Sequence, residues 1–134
     1  MAEGDKKTIL LVEDDTFLAG MYKTKFEMEN FNVILAEDGF KGFQLAKEKA
    51  PDIILLDILL PKMDGFEVLE KVRASGDTKK IPVIMLTNLG QKEDVKKGFD
   101  LGADGYLIKA HFMPSEVVEK IKSVLAGKKE ETEQ

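Results

Sequence analysis

Asp52-Ile53-Ile54-Leu55-Leu56-Asp57 sets four aliphatic residues in a row between two carboxylates. A run of this length, preceded by Pro51 and closed by an acid, predicts a strand buried on both faces. The chain on either side repeats the theme. Upstream, Thr8–Glu13 is a second apolar run ending in acids, and Asn32–Ala36 is a shorter one. Downstream, Ile81–Thr87 and Gly105–Lys109 complete the set.

Between these runs the apolar period changes to that of a helix. Phe17, Leu18, Met21, Tyr22, Lys25 and Phe26 recur at helical spacing, and Phe40, Phe43, Ala46 and Ala50 line a second helix that Pro51 stops. Asp64 caps a third helix, with Glu67 three residues on as in a capping box, and Val68, Leu69 and Val72 form its buried face. Lys92–Leu101 carries a thin stripe of Val95 and Phe99, and Gly102 ends it. Pro114 opens the last helix, whose buried face is Val117, Val118, Ile121, Val124 and Leu125. Strand and helix thus alternate five times. That pattern predicts an α/β fold: an open, doubly wound, flavodoxin-like parallel sheet in the order 2-1-3-4-5, with helices on both faces. Such sheets bind ligands at the carboxyl ends of their strands.

Composition narrows the chemistry. Among 134 residues, 43% are hydrophobic and 34% charged, the balance of a globular domain. No apolar run is long enough to cross a membrane, and the polar start is not a secretory signal. The absence of cysteine excludes disulfides, thiolate metal sites and thiol nucleophiles, and a single histidine, His111, excludes a multi-histidine site. A net charge of −5 argues against nucleic-acid binding. A cytoplasmic protein is the expectation.

The strand ends gather Glu13-Asp14-Asp15, Asp57, Thr87-Asn88 and Lys109 at one edge of the sheet. Carboxylates crowded together repel unless a cation joins them, and an all-oxygen donor set suits Mg²⁺. Each feature also has a plain structural role: the acids as helix caps, Asp57 as a turn former, Thr87 as a strand residue, Lys109 as a solvated charge. Their shared edge favours a site. There Asp57 can serve as a carboxylate nucleophile that forms an acyl phosphate, with Asp14 and Asp57 holding Mg²⁺, Lys109 pairing a phosphoryl oxygen and Thr87 hydrogen-bonding the attached group.

These segments, together with Leu60-Pro61-Lys62-Met63-Asp64-Gly65, Pro82–Thr87 and Gly102–Lys109, carry a resemblance to a known family. The sequence resembles the receiver domain of two-component response regulators, and is similar to the single-domain, chemotaxis-type members. The resemblance covers about residues 8–126. Residues 1–7 are expected to form a disordered tail and 127–134 a polar one, with no output domain.

The resemblance implies that Glu13 (through water), Asp14, Asp57 and the Leu59 carbonyl hold Mg²⁺ or Mn²⁺. It assigns the phosphoacceptor to Asp57, the switch hydroxyl to Thr87, the phosphate-pairing cation to Lys109 and the aromatic switch to Tyr106. Asp15 is then the neighbour of the acidic pair. The implied partners are a histidine kinase or phosphotransfer protein and a downstream protein target. The target would meet the face of the fourth helix, fifth strand and fifth helix, in a monomer or a phosphorylation-dependent dimer. The only catalysis implied is the chain's own phosphoryl transfer and dephosphorylation. A receiver-like docking module that ignores phosphate is the alternative. An aspartyl phosphatase would need an acid where Leu59 stands, and a flavin protein would need a Ser/Thr/Gly loop where Glu13-Asp14-Asp15 stands.

Three departures from the family pattern stand out. Ala110 follows Lys109, where relatives have a cis proline; a cis bond before alanine costs roughly 3 kcal/mol, so either that cost is borne or the loop takes another path. Leu59 and Leu89 flank the path of an attacking water, which leucines cannot orient. Asn88 is larger than the small residue usual after the threonine. His111 is expected to be an exposed bystander. Lys92, Lys96, Lys97, Lys109, Lys120 and Lys122 make the last third relatively basic, either as solvated faces or as a surface for an acidic partner.

Overall fold

The computed structural model describes residues 6–128. Residues 1–5 and 129–134, most of the two expected tails, lie outside the described residues. Strands β1 (Thr8–Val12), β2 (Asn32–Ala36), β3 (Ile53–Leu56), β4 (Val83–Thr87) and β5 (Gly105–Ile108) form one parallel sheet in the order β2-β1-β3-β4-β5. Helices α1 (Thr16–Met28), α2 (Gly39–Lys49), α3 (Gly65–Ala74), α4 (Lys92–Asp100) and α5 (Pro114–Leu125) connect and cover it. Lys7 already joins the sheet, its carbonyl accepting from the Asn32 amide at 2.9 Å.

Strand side chains alternate between two cores, as a parallel sheet covered on both faces requires. Leu10, Val12, Ile54, Leu56, Val83 and Met85 face α2, α3 and α4. Ile9, Leu11, Ile53, Leu55, Ile84 and Leu86 face α1 and α5. The helix starts are fixed by short polar side chains: Asp15 caps α1 through the Leu18 amide, Asp38 caps α2 through Lys41, and Asp64 with Glu67 closes the expected capping box on α3.

Two helix faces differ from the sequence expectation. In α1 the buried residues are Ala19, Tyr22 and Phe26, whereas Phe17 is 81% exposed and Met21 is exposed too. In α2 they are Gly39, Gly42, Leu45 and Ala46, with Phe40 exposed. Glycine decides this second case. Gly42 lies against Val12, where a Cβ would fall 2.9 Å from a Val12 methyl, so the small face turns inward and the aromatic one outward.

At the amino edge of the sheet, Arg73 ties three segments together. Its guanidinium donates to the carbonyls of Gly102 (3.0 Å), Ile81 (2.8 Å) and Lys79 (3.1 Å) and to the Asp104 carboxylate (2.9 Å). That Asp104 oxygen also accepts from the Val83 amide. At the opposite edge, the Gly39 amide donates to the Pro61 carbonyl, and a Cβ on residue 39 would run into the Met63 carbonyl oxygen. Gly39→Ala is therefore expected to destabilise the fold by about 1–3 kcal/mol in urea unfolding. Gly20→Ala, where a Cβ meets nothing, is expected to stabilise the exposed face of α1 by about 0.5–1 kcal/mol.

Candidate functional site

Parallel register assembles the site. Val12 pairs with Leu56, so the residues that follow them, Glu13 and Asp57, emerge side by side at the carboxyl edge. Thr87 and Ile108 pair on the other side, which brings Lys109 to the same edge. Glu13 and Asp57 are only 3% and 7% exposed, while Asp14 is exposed. Among the described residues, Glu13, Asp14 and Asp57 bring one carboxylate oxygen each within 4.8 Å of one another. Lys109 reaches in from the far side, its Nζ 2.8 Å from Asp57 Oδ2 and 2.5 Å from Glu13 Oε1.

Burial and charge pull against each other here. Desolvation raises the Glu13 pKa above the usual carboxylate range, opposed by the Lys109 ammonium and the Asp15 amide. Burial alone would lower the Lys109 pKa, but its bonds to Asp57 and Glu13 outweigh that and hold it above the ordinary lysine value. The second Asp57 oxygen, Oδ1, accepts from the Ile58 amide at 2.7 Å. The donor set fits a hard divalent cation: three carboxylates, no sulfur or imidazole, and two of the three already bonded to a cation. Asp15 stands apart from this set, being engaged as the α1 cap.

Two tight approaches shape the rim. Gly65, the first residue of α3, donates its amide to the Ile58 carbonyl at 2.8 Å. A Cβ there would run into the Asp57 carbonyl, so only glycine lets α3 start this close to the carboxylate. Leu59, two residues beyond Asp57, turns its side chain to solvent at 62% exposure. Across the edge, Thr87 is fully buried and its Oγ1 accepts from the Leu89 amide at 3.3 Å.

Tyr106 is fully buried, with its hydroxyl donating to the Leu89 carbonyl at 2.5 Å and its ring 6.5 Å from that of Phe99. Burial first, then repulsion from Asp94 and Asp57, pushes its phenol well above the usual range. The pocket for this ring exists because α4 carries Gly98, the only fully buried residue of that helix. A Cβ at 98 would stand 2.9 Å from Tyr106 Cδ2.

Lys109 does not end β5, as its sequence position suggests; it opens a short 3-10 turn, Lys109–His111. No cis peptide occurs among the described residues, so the loop takes the other path open to it. His111 in this turn is exposed, as expected.

Five of the lysines in the last third have different neighbours. Lys109 is in the site, Lys97 lies over the Phe66 ring, Lys96 pairs with Asp100, Lys120 lies over Phe112 and Lys122 reaches Glu29 on α1. Successive residues such as Lys96 and Lys97 point to different faces of a helix, while Lys92 and Lys96, four apart, share one. Gly65 and Gly98 are the site-shaping residues that the sequence reading passed over; a glycine inside a helical pattern was the available signal.

Alanine at 98 would favour α4 by about 1 kcal/mol of helix propensity, yet its methyl would crowd the tyrosine ring. Gly98→Ala is thus expected to expel Tyr106 toward solvent. Ultraviolet titration should show a tyrosine ionising at lower pH than in the parent, and an unaltered titration would mean that α4 shifts instead.

Known proteins can be set beside this geometry. Residues 9–122 match the family model of the response regulator receiver domain. A DNA-binding dual master transcriptional regulator of Synechocystis, RpaA, is 43% identical over 117 residues, covering 87% of this chain and 48% of that protein. The chain spans about half the length of the curated relatives it matches. Among solved structures, a CheY-like receiver domain protein of Methanospirillum hungatei superposes with a TM-score of 0.85 at 32% identity, covering 92% of this chain and 96% of that one. Vibrio cholerae chemotaxis protein CheY4 gives 0.83 at 28% identity, covering 89% and 98%. The curated relatives are transcriptional regulators, while the solved structures include a chemotaxis protein, so the likeness that both share is to the receiver domain. With its sheet order, its strand-end carboxylates and a family match over most of its length, this chain belongs to the response regulator receiver domain family.

Proposed function

We propose that the chain is a phosphoryl-accepting switch of a two-component phosphorelay, with Asp57 as the acceptor. The observation that carries this is the ammonium of Lys109 at 2.8 Å from Asp57 Oδ2, inside a cluster of otherwise repelling carboxylates. The donor is a phosphohistidine on a histidine kinase or phosphotransfer protein. The Asp57 carboxylate attacks phosphorus, the phosphorus–nitrogen bond breaks, the imidazole leaves and takes up a proton, and an acyl phosphate results. Lys109 then exchanges its Asp57 contact for a phosphoryl oxygen, and the Thr87 hydroxyl turns from the Leu89 amide to donate to another. Glu13 (through water), Asp14, Asp57 and the Leu59 carbonyl would hold Mg²⁺ or Mn²⁺, which offsets the negative charge of the phosphoryl oxygens when bound.

Thr87 and Tyr106 are linked through Leu89, whose amide and carbonyl they respectively contact. A shift of Thr87 therefore disturbs the bond that holds the tyrosine, and the readout is a change on the α4–β5–α5 face toward a protein target. The chain transforms no outside substrate beyond its own phosphoryl transfer and dephosphorylation. It acts in the cytoplasm as a monomer or phosphorylation-dependent dimer, with no nucleic acid or membrane bound by this domain. No helix among the described residues is long and apolar enough to cross a membrane.

Incubation with a small phosphodonor and Mg²⁺ is expected to add one phosphoryl group, seen as intact mass, that disappears without Mg²⁺ and in Asp57→Asn. Failure of both adduct formation and Mg²⁺ binding would leave the phosphate-independent docking module. The exposed Leu59 and half-buried Leu89 give an attacking water no hydrogen-bond partner, so the acyl phosphate should be long-lived. Leu59→Asn is expected to speed dephosphorylation about three- to tenfold, the worth of one water-orienting hydrogen bond, when phosphate release is followed after donor removal.

A further inference from the structure

The two loops that depart from the family pattern are joined to each other. Asn88 follows Thr87, and Ala110 follows Lys109. The Asn88 Oδ1 accepts a hydrogen bond from the Ala110 amide at 3.1 Å. We propose that Asn88 is a positioning residue for Lys109, fixing through the Ala110 peptide the loop from which the ammonium reaches Asp57. The proposal deepens the phosphorelay reading and rests on its assignment of Lys109.

The 3-10 turn that carries Lys109 is anchored at its ends by the Lys109 ion pairs and the packing of Phe112, and few backbone bonds hold the peptides between. The Phe112 amide closes it on the Lys109 carbonyl at 3.3 Å, and no side chain caps its start. The first amides of any helical turn lack an internal partner, and Asn88 supplies one from the neighbouring loop. A proline at 110 would have no amide to offer, so an asparagine at 88 gains this role only in combination with a residue such as alanine.

The contact also joins the two halves of the site. Thr87-Asn88-Leu89 bonds in three directions: Thr87 Oγ1 to the Leu89 amide, Leu89 carbonyl to Tyr106, and Asn88 to the turn of Lys109. A displacement of the threonine loop is therefore transmitted to the lysine loop by a hydrogen bond and not only by packing.

The test uses the full chain and three variants, Asn88→Ala, Asn88→Asp and Ala110→Pro, with Asn88→Ala also placed in the Ala110→Pro background. Three quantities are read: exchange of the Ala110 amide with solvent by NMR, the rate of adduct formation with acetyl phosphate at saturating Mg²⁺, and Mg²⁺ affinity. Asn88→Ala should speed both amide exchange and loss of the well-placed lysine, slowing phosphorylation about three- to tenfold, as expected for one hydrogen bond. Mg²⁺ affinity should not fall, because the proposed metal donors lie elsewhere. Asn88→Asp keeps the acceptor oxygen and should keep the amide protected. In the Ala110→Pro background, Asn88→Ala should have no further effect on phosphorylation. Unchanged Ala110 exchange in Asn88→Ala, or equal effects of that change with and without proline at 110, would overturn the proposal. A parent chain that takes no phosphate would overturn the phosphorelay reading instead, while amide exchange would still decide whether Asn88 holds the turn.

Discussion

The pairing of Val12 with Leu56 forces Glu13 and Asp57 to leave the sheet next to each other. Two nearly buried carboxylates at that distance are unfavourable by themselves, through both mutual repulsion and lost hydration. Lys109 resolves the conflict by donating to both. Much of the rest follows. β5 must end where an ammonium can reach across β4 and β3, α3 must start against the Asp57 peptide, and Gly65 is the residue that allows it. The cluster is thus a constraint on the fold as well as a place for chemistry. An ammonium that bonds two carboxylates can give up one of them for another anion while its bond to the other keeps it in place.

The layered architecture was legible because β3 and β1 are apolar on both faces, and only a covered parallel sheet tolerates that. The Asp64–Glu67 capping box was legible because it is a local pattern that tertiary packing had no cause to override, whereas strand order followed from the fold class that the alternation implies. The site residues were legible as a group because residues that end neighbouring parallel strands must meet, whatever their individual alternatives.

The features that escaped are those in which two distant residues decide each other. Hydrophobicity pointed Phe17 and Phe40 inward, but Gly42 against Val12 and Ala19 beside Tyr22 made a closer fit, and both aromatics face solvent. Lysines counted along α4 and α5 left open solvated faces or a surface for an acidic partner, and Lys96, Lys97, Lys120 and Lys122 each have a different neighbour. Ala110 posed a choice between a strained bond and a new loop path, and nothing in that loop could settle it. The partner that accepts its amide lies 22 residues upstream in Asn88. Nothing local accounts for Gly98 within a polar helix; the ring of Tyr106, against which it packs, supplies the reason for it.

Arg73 closes the amino edge by binding the turn before β4, the turn after α4 and Asp104 together, at the end of the sheet farthest from Asp57. Cohesion and chemistry are thereby segregated along the strand axis. Mutational drift can consequently act on the two ends separately. Exchanges at the exposed Leu59 can alter the carboxyl edge with little thermodynamic penalty. Substitution at the carboxyl edge is in that sense uncoupled from the ties that hold the amino edge together.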